Sequence, residues 1–312
     1  MSVAAPDEPG IVLAVDIGGT LTKLAWAAAD GTIGEVTRVS SPRSAEAVSV
    51  DGLAEVIAER AAGRDGVRGF GLVAPGIVDA DAGLVRTAPN LGWLDVALRD
   101  RLERLTGLPG AVGHDVRTAG LAEWRLHQPN ETDLLFVALG TGIAGAPVVD
   151  GRLLAAGGYA GEIGHWAVAE GSGRVCACGR MGCLETVASA AGIVREYVRL
   201  GGAAENAAEV ADLARRGYRA ALDTFARAAA ALGEALGRYN TLLGPRLVVL
   251  GGGLSGAADL LIPPVTAVIR AGVTFEREPR IVRAGLGADA GVIGAGLLGW
   301  DRVGRPEEAG RG

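Results

Sequence analysis

Lysine, cysteine, histidine and positive charge are all scarce in this chain of 312 residues. Lys23 is the only lysine among 30 basic residues, and the chain has three cysteines and three histidines. The formal net charge is −6, so the chain lacks the clustered positive charge that a general nucleic-acid surface needs. We therefore expect no nucleic-acid partner.

Long apolar runs are scarce as well. No stretch approaches the ~20 consecutive apolar residues that cross a bilayer. The N-terminal segment MSVAAPDEPG has no basic region followed by an apolar one, as a secretion signal would. We therefore expect a cytoplasmic protein with no membrane partner. The length is too great for one comfortable core and favours two domains.

Apolar strand patterns alternate with helical patterns, which predicts an α/β chain. The predicted strands cover residues 11–15, 21–28, 67–73, 111–113, 134–140, 143–149, 246–250 and a few residues near 281. The predicted helices cover residues 45–62, 95–105, 115–126, 187–200, 203–216, 220–243, 257–271 and 289–300. Asp95 is expected to cap the second helix. The strand–glycine turn–strand pattern of the first 28 residues recurs from Leu134, which predicts two halves of related architecture.

Three glycine clusters lie at the carboxyl ends of predicted strands. They are DIGGT at 16–20, GTG at 140–142 and GGG at 251–253. Glycine lets backbone N–H groups approach an anion closely, and open α/β sheets bind ligands at this end of their strands. One such cluster is equally well explained as a hairpin turn, but three favour a nucleotide-phosphate site. None matches the P-loop or dinucleotide-binding pattern.

The single lysine follows the first glycine cluster. A compact ammonium group suits a phosphate site in a way that a guanidinium fork does not. A lone lysine in an arginine-rich chain can also be chance. We favour the functional interpretation of Lys23 because of its position after DIGGT.

All the cysteines lie in one short segment, as Cys176, Cys178 and Cys183, downstream of His165. Three thiols cannot all pair within one chain, and a Cys-x-Cys disulfide would close a strained ring. Cytosolic proteins rarely rely on disulfides. With His165 the set supplies four ligands suited to a closed tetrahedral zinc site. Buried thiols without a metal are the alternative.

Together these motifs resemble the ROK family (repressor, open reading frame, kinase) of sugar kinases. The resemblance covers nearly the whole chain and lies in DIGGTLTK, APGIVD, APNLGW, GTGIAGAPVVDGRLLAAGGYAGEIGH and CACGRMGCLE. It implies an actin/hexokinase-like (ribonuclease H-like) α/β fold with two domains. The first would be residues 1–115, with the helix 289–312 packed on it. The second would be residues 116–288, with a zinc-binding insert at 165–185. The resemblance also implies a homodimer.

The resemblance implies transfer of a phosphoryl group from ATP, with Mg²⁺, to the 6-hydroxyl of a hexose in a cleft between the domains. Asp115 would be the catalytic base, although on its own it is more simply a helix cap. The residues implied for the sugar are Gly76, Asn90, His114, Asp115, Glu162, His165 and Glu185. Those implied for ATP and Mg²⁺ are Asp16, Gly18, Gly19, Thr20, Lys23, Thr141, Gly142, Gly251, Gly252 and Gly253. The structural zinc would be held by His165, Cys176, Cys178 and Cys183, with His165 also facing a sugar hydroxyl.

The chain departs from the family pattern around the expected base. The family has Asn-Asp-x-Asn, whereas this chain has His114, Asp115, Val116 and Arg117. The first asparagine of the family helps to bind ring hydroxyls, so His114 puts the choice of sugar in question. Glucose is one expectation. The other is an amino-hexose such as 3-amino-3-deoxyglucose (kanosamine). Its amino group would donate a hydrogen bond to a neutral imidazole nitrogen of His114.

Three other functions compete with an ATP-dependent hexose kinase. The family includes sugar-responsive repressors, but their DNA-binding segment precedes the phosphate motif, which begins here at Asp16. A sugar- or metal-binding protein without catalysis would not need Asp115 together with DIGGT and GTG. Polyphosphate could replace ATP, as it does in related kinases, but no basic groove for a polyanion is evident. We therefore expect an enzyme that uses ATP.

Overall fold

The computed structural model describes residues 10–305, and the chain divides into two compact units. Of the described residues, the first unit contains 10–126, Ala155–Tyr159 and 289–305. The second contains His127–Leu154 and Ala160–Ala288. The first unit thus includes the helix after Asp115, which the sequence prediction gave to the second domain. Residues 1–9, which hold most of the N-terminal segment, and residues 306–312, the end of the helix expected over 289–312, lie outside the described residues.

Strands predominate in the first part of the chain. They are β1 (Ile11–Ile17), β2 (Leu21–Ala27), β3 (Thr37–Ser40), β4 (Arg43–Ser44), β5 (Ala47–Val48), β6 (Val67–Ala74), β7 (Ile77–Asp79), β8 (Leu84–Ala88), β9 (Trp93–Val96) and β10 (Gly110–His114). The helices among them are α1 (Val50–Ala62), α2 (Leu98–Thr106) and α3 (Asp115–His127).

Helices predominate in the rest of the chain. The strands there are β11 (Leu134–Leu139), β12 (Ile143–Val149), β13 (Arg152–Leu153), β14 (Leu247–Gly251) and β15 (Arg280–Arg283). The helices are α4 (Glu185–Ala188), α5 (Ala190–Arg199), α6 (Ala207–Arg215), α7 (Arg219–Leu243), α8 (Ala258–Gly272) and α9 (Ala290–Val303). Of these elements, α9 belongs to the first unit.

The main sheets of the two units have the same plan. In the first unit the strand order is β10-β6-β1-β2-β3, and in the second it is β13-β12-β11-β14-β15. Read from β10 in the first sheet and from β15 in the second, each sheet has two parallel strand pairs followed by two antiparallel pairs. In both, the central strand and its antiparallel neighbour are joined by a predicted glycine turn. The prediction of two related halves is therefore confirmed.

The first sheet is covered on both faces because its central strand alternates sides. Leu13 and Val15 of β1 belong to one apolar cluster, which includes Ile57 of α1 and Leu102 of α2. Ala14 between them belongs to another cluster, with residues of α9. This period of two is the pattern of a strand buried on both faces. The ends of β1, β6 and β10 are thereby held by packing on both sides.

Helix α9 approaches β6 too closely for a side chain at Gly71. A Cβ there would overlap the carbonyl oxygen of Ala295 and lie 2.7 Å from the amide nitrogen of Gly299. We predict that Gly71→Ala lowers the free energy of unfolding by about 1–3 kcal/mol, because overpacking forces the helix away. Urea unfolding measures this. The matched control is Gly237→Ala in α7, where a Cβ meets no heavy atom within 4 Å. An equal loss in both variants would contradict the close packing.

Three predicted helices begin or run differently in the structure. The helix predicted from residue 45 begins at Val50, because the Ser49 hydroxyl accepts the Gly52 amide and fixes the start there. Asp95 does not cap α2: it lies in β9 with a positive φ of 48°. The helix predicted over 187–200 is broken at Ser189, whose extended backbone ends α4 and caps α5.

One segment is apolar on average, although charged residues interrupt it. Residues Gly253–Gly272 have the length and composition of a membrane span, with a mean hydropathy of 1.3. In the structure this segment contains α8, which buries Leu261, Val265 and Ile269 on one face, against α7. Its charged residues, Asp259 and Arg270, form ion pairs with other parts of the same unit. The segment is therefore an amphipathic helix of the second unit.

Candidate functional site

The first glycine turn joins β1 to β2 and carries an ion pair. Asp16 lies opposite Lys23 in the sheet register, and the Lys23 Nζ is 3.5 Å from an Asp16 carboxylate oxygen. A pocket of about 150 Å³ is lined by Asp16, Gly18, Leu21, Lys23 and Arg38. Two cations beside a glycine turn suit a polyanion such as a nucleotide phosphate chain.

The glycines of this turn are required by close backbone contacts. The Gly18 amide donates to the Leu21 carbonyl at 2.9 Å, and a Cβ on Gly18 would lie 2.8 Å from that oxygen. A Cβ on Gly19 would lie 3.0 Å from the carbonyl oxygen of Asn90. The exposed Thr20 completes the turn. The predicted phosphate loop and the loop of Asn90 are therefore adjacent within the first unit.

The electrostatics at Asp16 reveal a residue that the sequence analysis missed. Burial raises the pKa of Asp16, Lys23 lowers it, and the nearby charge of Asp289 raises it. Asp289 precedes α9 and lies 4.0 Å from Arg38. In the sequence Asp289 was interpreted only as the start of a helix, and no local motif brings it to Asp16. The carboxylates of Asp16 and Asp289 repel each other, and the pKa of Asp16 is raised. A divalent cation suits such a pair because its charge offsets the repulsion.

His114 and Asp115 lie where β10 passes directly into α3. Asp115 is the first residue of α3, and its Oδ1 accepts the Val116 amide at 2.7 Å. Its side chain is 36% exposed, whereas that of His114 is only 7% exposed. The His114 Nε2 lies 3.4 Å from Asp115 Oδ1. The carboxylate is therefore backed by a buried ring and reaches solvent.

The tautomer of His114 follows from its neighbours. Its Nδ1 accepts the Arg117 amide at 3.2 Å, and burial together with the Arg117 charge lowers the pKa of His114 to about 3. The ring is therefore neutral at physiological pH and carries its proton on Nε2. Neither nitrogen is then open as an acceptor. This geometry speaks against the expected hydrogen bond in which a sugar amino group donates to His114.

Arg117, the second departure from the family pattern, is buried and forms hydrogen bonds to backbone carbonyl groups. Its guanidinium donates to the carbonyl oxygens of Val78 at 2.8 Å and Gly158 at 2.9 Å. It thereby holds the segment 155–159 beside β7. Gly76, between β6 and β7, has a φ of 102°, and a Cβ there would overlap the Thr87 carbonyl. Asn90 lies exposed in the turn between β8 and β9.

In the second unit, Glu185 lies on the GTG turn. Its Oε2 accepts the Ile143 amide at 3.0 Å, and a Cβ on Gly142 would lie 2.7 Å from the same oxygen. Thr141 is exposed in this turn. The Glu185 Oε1 is 3.9 Å from the Cys176 sulfur. Glu185 thus connects the second glycine turn to the cysteine segment (residues 165–185), a connection that the sequence order did not indicate.

The third glycine cluster lies beside the second. Strands β11 and β14 are parallel and end together, with Ala138 paired to Gly251. Gly252 has a φ of 78°, and a Cβ there would lie 2.5 Å from the Leu139 backbone. Gly253 follows, with no atom near a Cβ position. The structure therefore brings GTG and GGG to one edge of the second sheet, as expected for carboxyl ends of parallel strands.

The cysteines and His165 form a compact set of four ligands. Each of the four residues offers one ligand atom, and these atoms all lie within 4.8 Å of one another. The residues are His165, Cys176, Cys178 and Cys183. The Cys178 and Cys183 sulfurs are 3.7 Å apart, too far for a disulfide. A tetrahedral zinc ion with ~2.3 Å bonds would separate its sulfurs by about 3.8 Å. The residues present therefore fit zinc.

The two nitrogens of His165 face different neighbours. Nδ1 is 3.8 Å from the Cys176 sulfur, and Nε2 is 4.0 Å from a Glu162 carboxylate oxygen. The side chains of His165 and Glu162 are 30% and 32% exposed. One nitrogen can thus face a metal while the other and Glu162 face solvent, the division of roles that was expected for His165.

Comparisons with known proteins give one consistent result. The model of the ROK family matches residues 12–301. A glucokinase of Halalkalibacterium halodurans is 36% identical, over 91% of this chain and 93% of its own. An N-acetylmannosamine kinase of Shigella flexneri is 32% identical, over 92% and 97%. A ROK family glucokinase from Streptomyces griseus, solved in complex with glucose and AMPPNP, has a TM-score of 0.79 and 29% identity, over 94% and 100%.

A ROK family transcriptional regulator, described as a homolog of the E. coli MLC protein, is similar as well. It has a TM-score of 0.86 and 25% identity, and the match covers 94% of this chain and 78% of the regulator. Kinases and a regulator thus share the fold. The fold alone does not separate them, whereas the glucokinase relatives favour the enzyme.

Proposed function

This chain belongs to the ROK family and is a sugar phosphotransferase, and from that premise we propose a specific reaction. The protein transfers the γ-phosphate of ATP to the 6-hydroxyl of a hexose, either glucose or an amino-hexose such as kanosamine. The observation that carries this proposal is the position of Asp115. Its carboxylate is exposed at the start of α3 and lies 3.4 Å from a buried, neutral imidazole.

In this proposal Asp115 receives the proton of the attacking hydroxyl. Phosphoryl transfer depends on positioning and on charge stabilisation, and a carboxylate near the nucleophile completes it. The Val116 amide and the start of α3 hold Asp115 Oδ1 in place. The carboxylate therefore does not need to reorient before it accepts a proton.

On the donor side we propose that the ATP phosphates lie against the glycine turns. The residues concerned are Gly18, Gly19, Thr20, Lys23, Thr141, Gly142, Gly251, Gly252 and Gly253. Asp16, to which the structure adds Asp289, would hold Mg²⁺. When bound, this ion neutralises charge on the phosphates. The support is the raised pKa of Asp16 and the cation-lined pocket beside it.

On the acceptor side we propose that Glu162, His165 and Glu185 bind sugar hydroxyls, with Gly76 and Asn90 shaping the sugar loops. Carboxylates and imidazole suit a polyol because they accept O–H groups in fixed directions. The zinc that fits the cysteine set would be structural, since four protein ligands fill its coordination. Its proposed task is to fold the insert and fix His165.

The test of the proposed function is an assay of sugar-phosphate formation with a panel of sugars, in which ADP release is also measured when ATP is the donor. The panel contains glucose, 3-amino-3-deoxyglucose, N-acetylglucosamine and N-acetylmannosamine, each with ATP and with polyphosphate as the donor. The proposal expects ATP-dependent turnover of glucose or the amino-hexose. Binding of sugar without turnover would instead favour a regulator or a binding protein without catalysis.

The position of His114 makes the choice of acceptor testable. Because its Nε2 is a hydrogen-bond donor, it can bind an unprotonated amine but not an ammonium group. If the amino-hexose is the substrate, kcat/KM for it relative to glucose should rise with pH through the pKa of the sugar amine. His114→Asn should reduce the preference for the amino-hexose by about tenfold, the equivalent of one hydrogen bond. If the wild type and His114→Asn prefer glucose equally, the amino-hexose is excluded as the substrate and glucose remains.

Two further proposals rest on family membership alone. We propose that the protein acts in the cytoplasm and forms a homodimer. Light scattering of the purified chain, which measures its mass in solution, tests the dimer. A mass near that of one chain, 31.5 kDa, would contradict it.

A further inference from the structure

Glu196 of α5 is a buried carboxylate that lies outside the proposed site and contacts three arginines. Its side chain is 1% exposed. Arg174 Nη2 donates to its Oε2 at 2.5 Å, and Arg199 donates to its two oxygens at 2.9 and 2.7 Å. Arg227 of α7 places its Nε 3.3 Å from Oε1. A buried charge is costly unless it is paired, so this carboxylate is held by its partners.

The partners of Glu196 come from different parts of the second unit. Arg199 is on the same helix, three residues away, and Arg227 is on α7. Arg174 is in the cysteine segment, two residues before Cys176. Arg227 also pairs with Glu170 of that segment at 2.9 Å. The cluster therefore ties the chain between His165 and Cys176 to two helices.

Arg174 also reaches the other end of the cysteine segment. Its Nη1 donates to the carbonyl oxygen of Thr186 at 3.4 Å. Thr186 directly follows Glu185, which contacts the GTG turn through the Ile143 amide. One guanidinium thus connects the backbone beside Glu185 with the segment that precedes Cys176. A shift of Arg174 would move a metal-binding cysteine and a sugar-binding carboxylate together.

We propose that Glu196 is a positioning residue, which through Arg174 fixes the cysteine segment and Glu185 for binding of the sugar. The inference rests on the proposed function, since it assigns Glu196 an effect on the sugar and zinc sites. The contacts of Glu196 described above are with arginines, none of which is assigned to the sugar or the zinc. Its ionised state is favoured by the hydrogen bonds from Arg199 and Arg174, which lower its pKa to about 2, so the cluster persists across the physiological pH range.

The fold should survive loss of the Glu196 charge. The Ala169 amide donates to Glu234 of α7 at 2.9 Å, which is a second tie between the cysteine segment and the helices. Glutamine keeps the size of glutamate but loses the charge. If Glu196→Gln fails to fold, Arg174→Gln tests the same link from the segment side, because Arg174 is partly exposed. Arg199→Gln is the control, since Arg199 pairs with Glu196 from its own helix and does not reach the segment.

The experiment measures three properties of the full-length protein and these variants. They are the steady-state constants for sugar and ATP, zinc release to a chelator, and thermal unfolding. For Glu196→Gln and Arg174→Gln we expect the sugar KM to rise about fivefold and zinc release to accelerate by roughly ten- to a hundredfold, as for residues that support metal ligands. Their kcat and ATP KM should change less than about twofold, and Arg199→Gln should resemble the wild type in all of these.

Several outcomes would overturn the inference. If all three variants lose thermal stability and zinc equally, Glu196 is only a part of the core. If none changes the sugar KM or zinc release, the cluster does not position the segment. A wild-type protein that neither holds zinc nor phosphorylates a sugar contradicts the proposed function, and this inference with it. If the wild type holds zinc and phosphorylates a sugar, and Glu196→Gln has the same sugar KM and zinc release, only the inference about Glu196 is contradicted.

Discussion

Replacing Asp115 with asparagine should lower kcat by about 10²–10⁴-fold, the usual contribution of a general base. The amide cannot take the proton of the sugar hydroxyl, yet it keeps the shape of the side chain and can still accept the Val116 amide. Binding of the sugar should therefore be partly retained. Steady-state kinetics measure kcat, and calorimetric titration measures sugar binding without turnover.

The same variant separates catalysis from helix capping. Asparagine caps helices about as well as aspartate, so a residue that only caps α3 would tolerate the change. The matched control is Asp100→Asn, an exposed aspartate in the first turn of α2. We expect the control to keep full turnover. Full turnover in Asp115→Asn as well would show that Asp115 is only a cap.

The second large effect is expected from Cys178→Ser. Cys178 is the exposed member of the cysteine set, and its sulfur is 3.7 Å from that of Cys183. Serine is a poor zinc ligand, so the variant should fall from about one zinc ion per chain to almost none. The sugar KM should rise by roughly tenfold, about 1.4 kcal/mol of binding, because His165 and Glu185 lose their support. Elemental analysis and kinetics measure the two effects.

Met181→Ser is the control for the cysteine variant. Met181 lies in the same segment, is 62% exposed and offers no atom of the ligand set. It should keep both zinc and the sugar KM of the wild type. Zinc retained at full stoichiometry in Cys178→Ser would contradict the assigned ligand set. Loss of zinc with an unchanged sugar KM would contradict the role of the metal in sugar binding.

The sequence predicted the strand–glycine turn–strand units because their signals are local. β-branched apolar runs and paired glycines are adjacent in the chain, and the backbone contacts at Gly18 and Gly252 show why a side chain is excluded there. Short strands such as β4 and β5 gave no such signal, since two-residue strands have no period. Asp95 resembled a helix cap in sequence, but the backbone there forms β9 before α2 begins.

The residues that sequence reasoning missed, in and around the candidate site, share one property: their partners are distant in sequence. Asp289 meets Asp16 only when α9 packs on the first sheet, and Arg174 meets Glu196 across 22 positions. The role of His114 was predicted from its residue type, but its tautomer depends on the direction of the Arg117 amide. Such directions are set by the fold and are not encoded in a local pattern.

The most direct test of the central claim identifies the product made from ATP and each hexose. The wild-type protein is incubated with Mg²⁺, ATP and glucose or 3-amino-3-deoxyglucose, and proton–phosphorus correlation NMR locates the new phosphate ester. We expect a hexose 6-phosphate and one ADP for each ester formed, with no product from Asp115→Asn on the same time scale. A phosphate on another hydroxyl, or no phosphorylated sugar from either hexose, would contradict it.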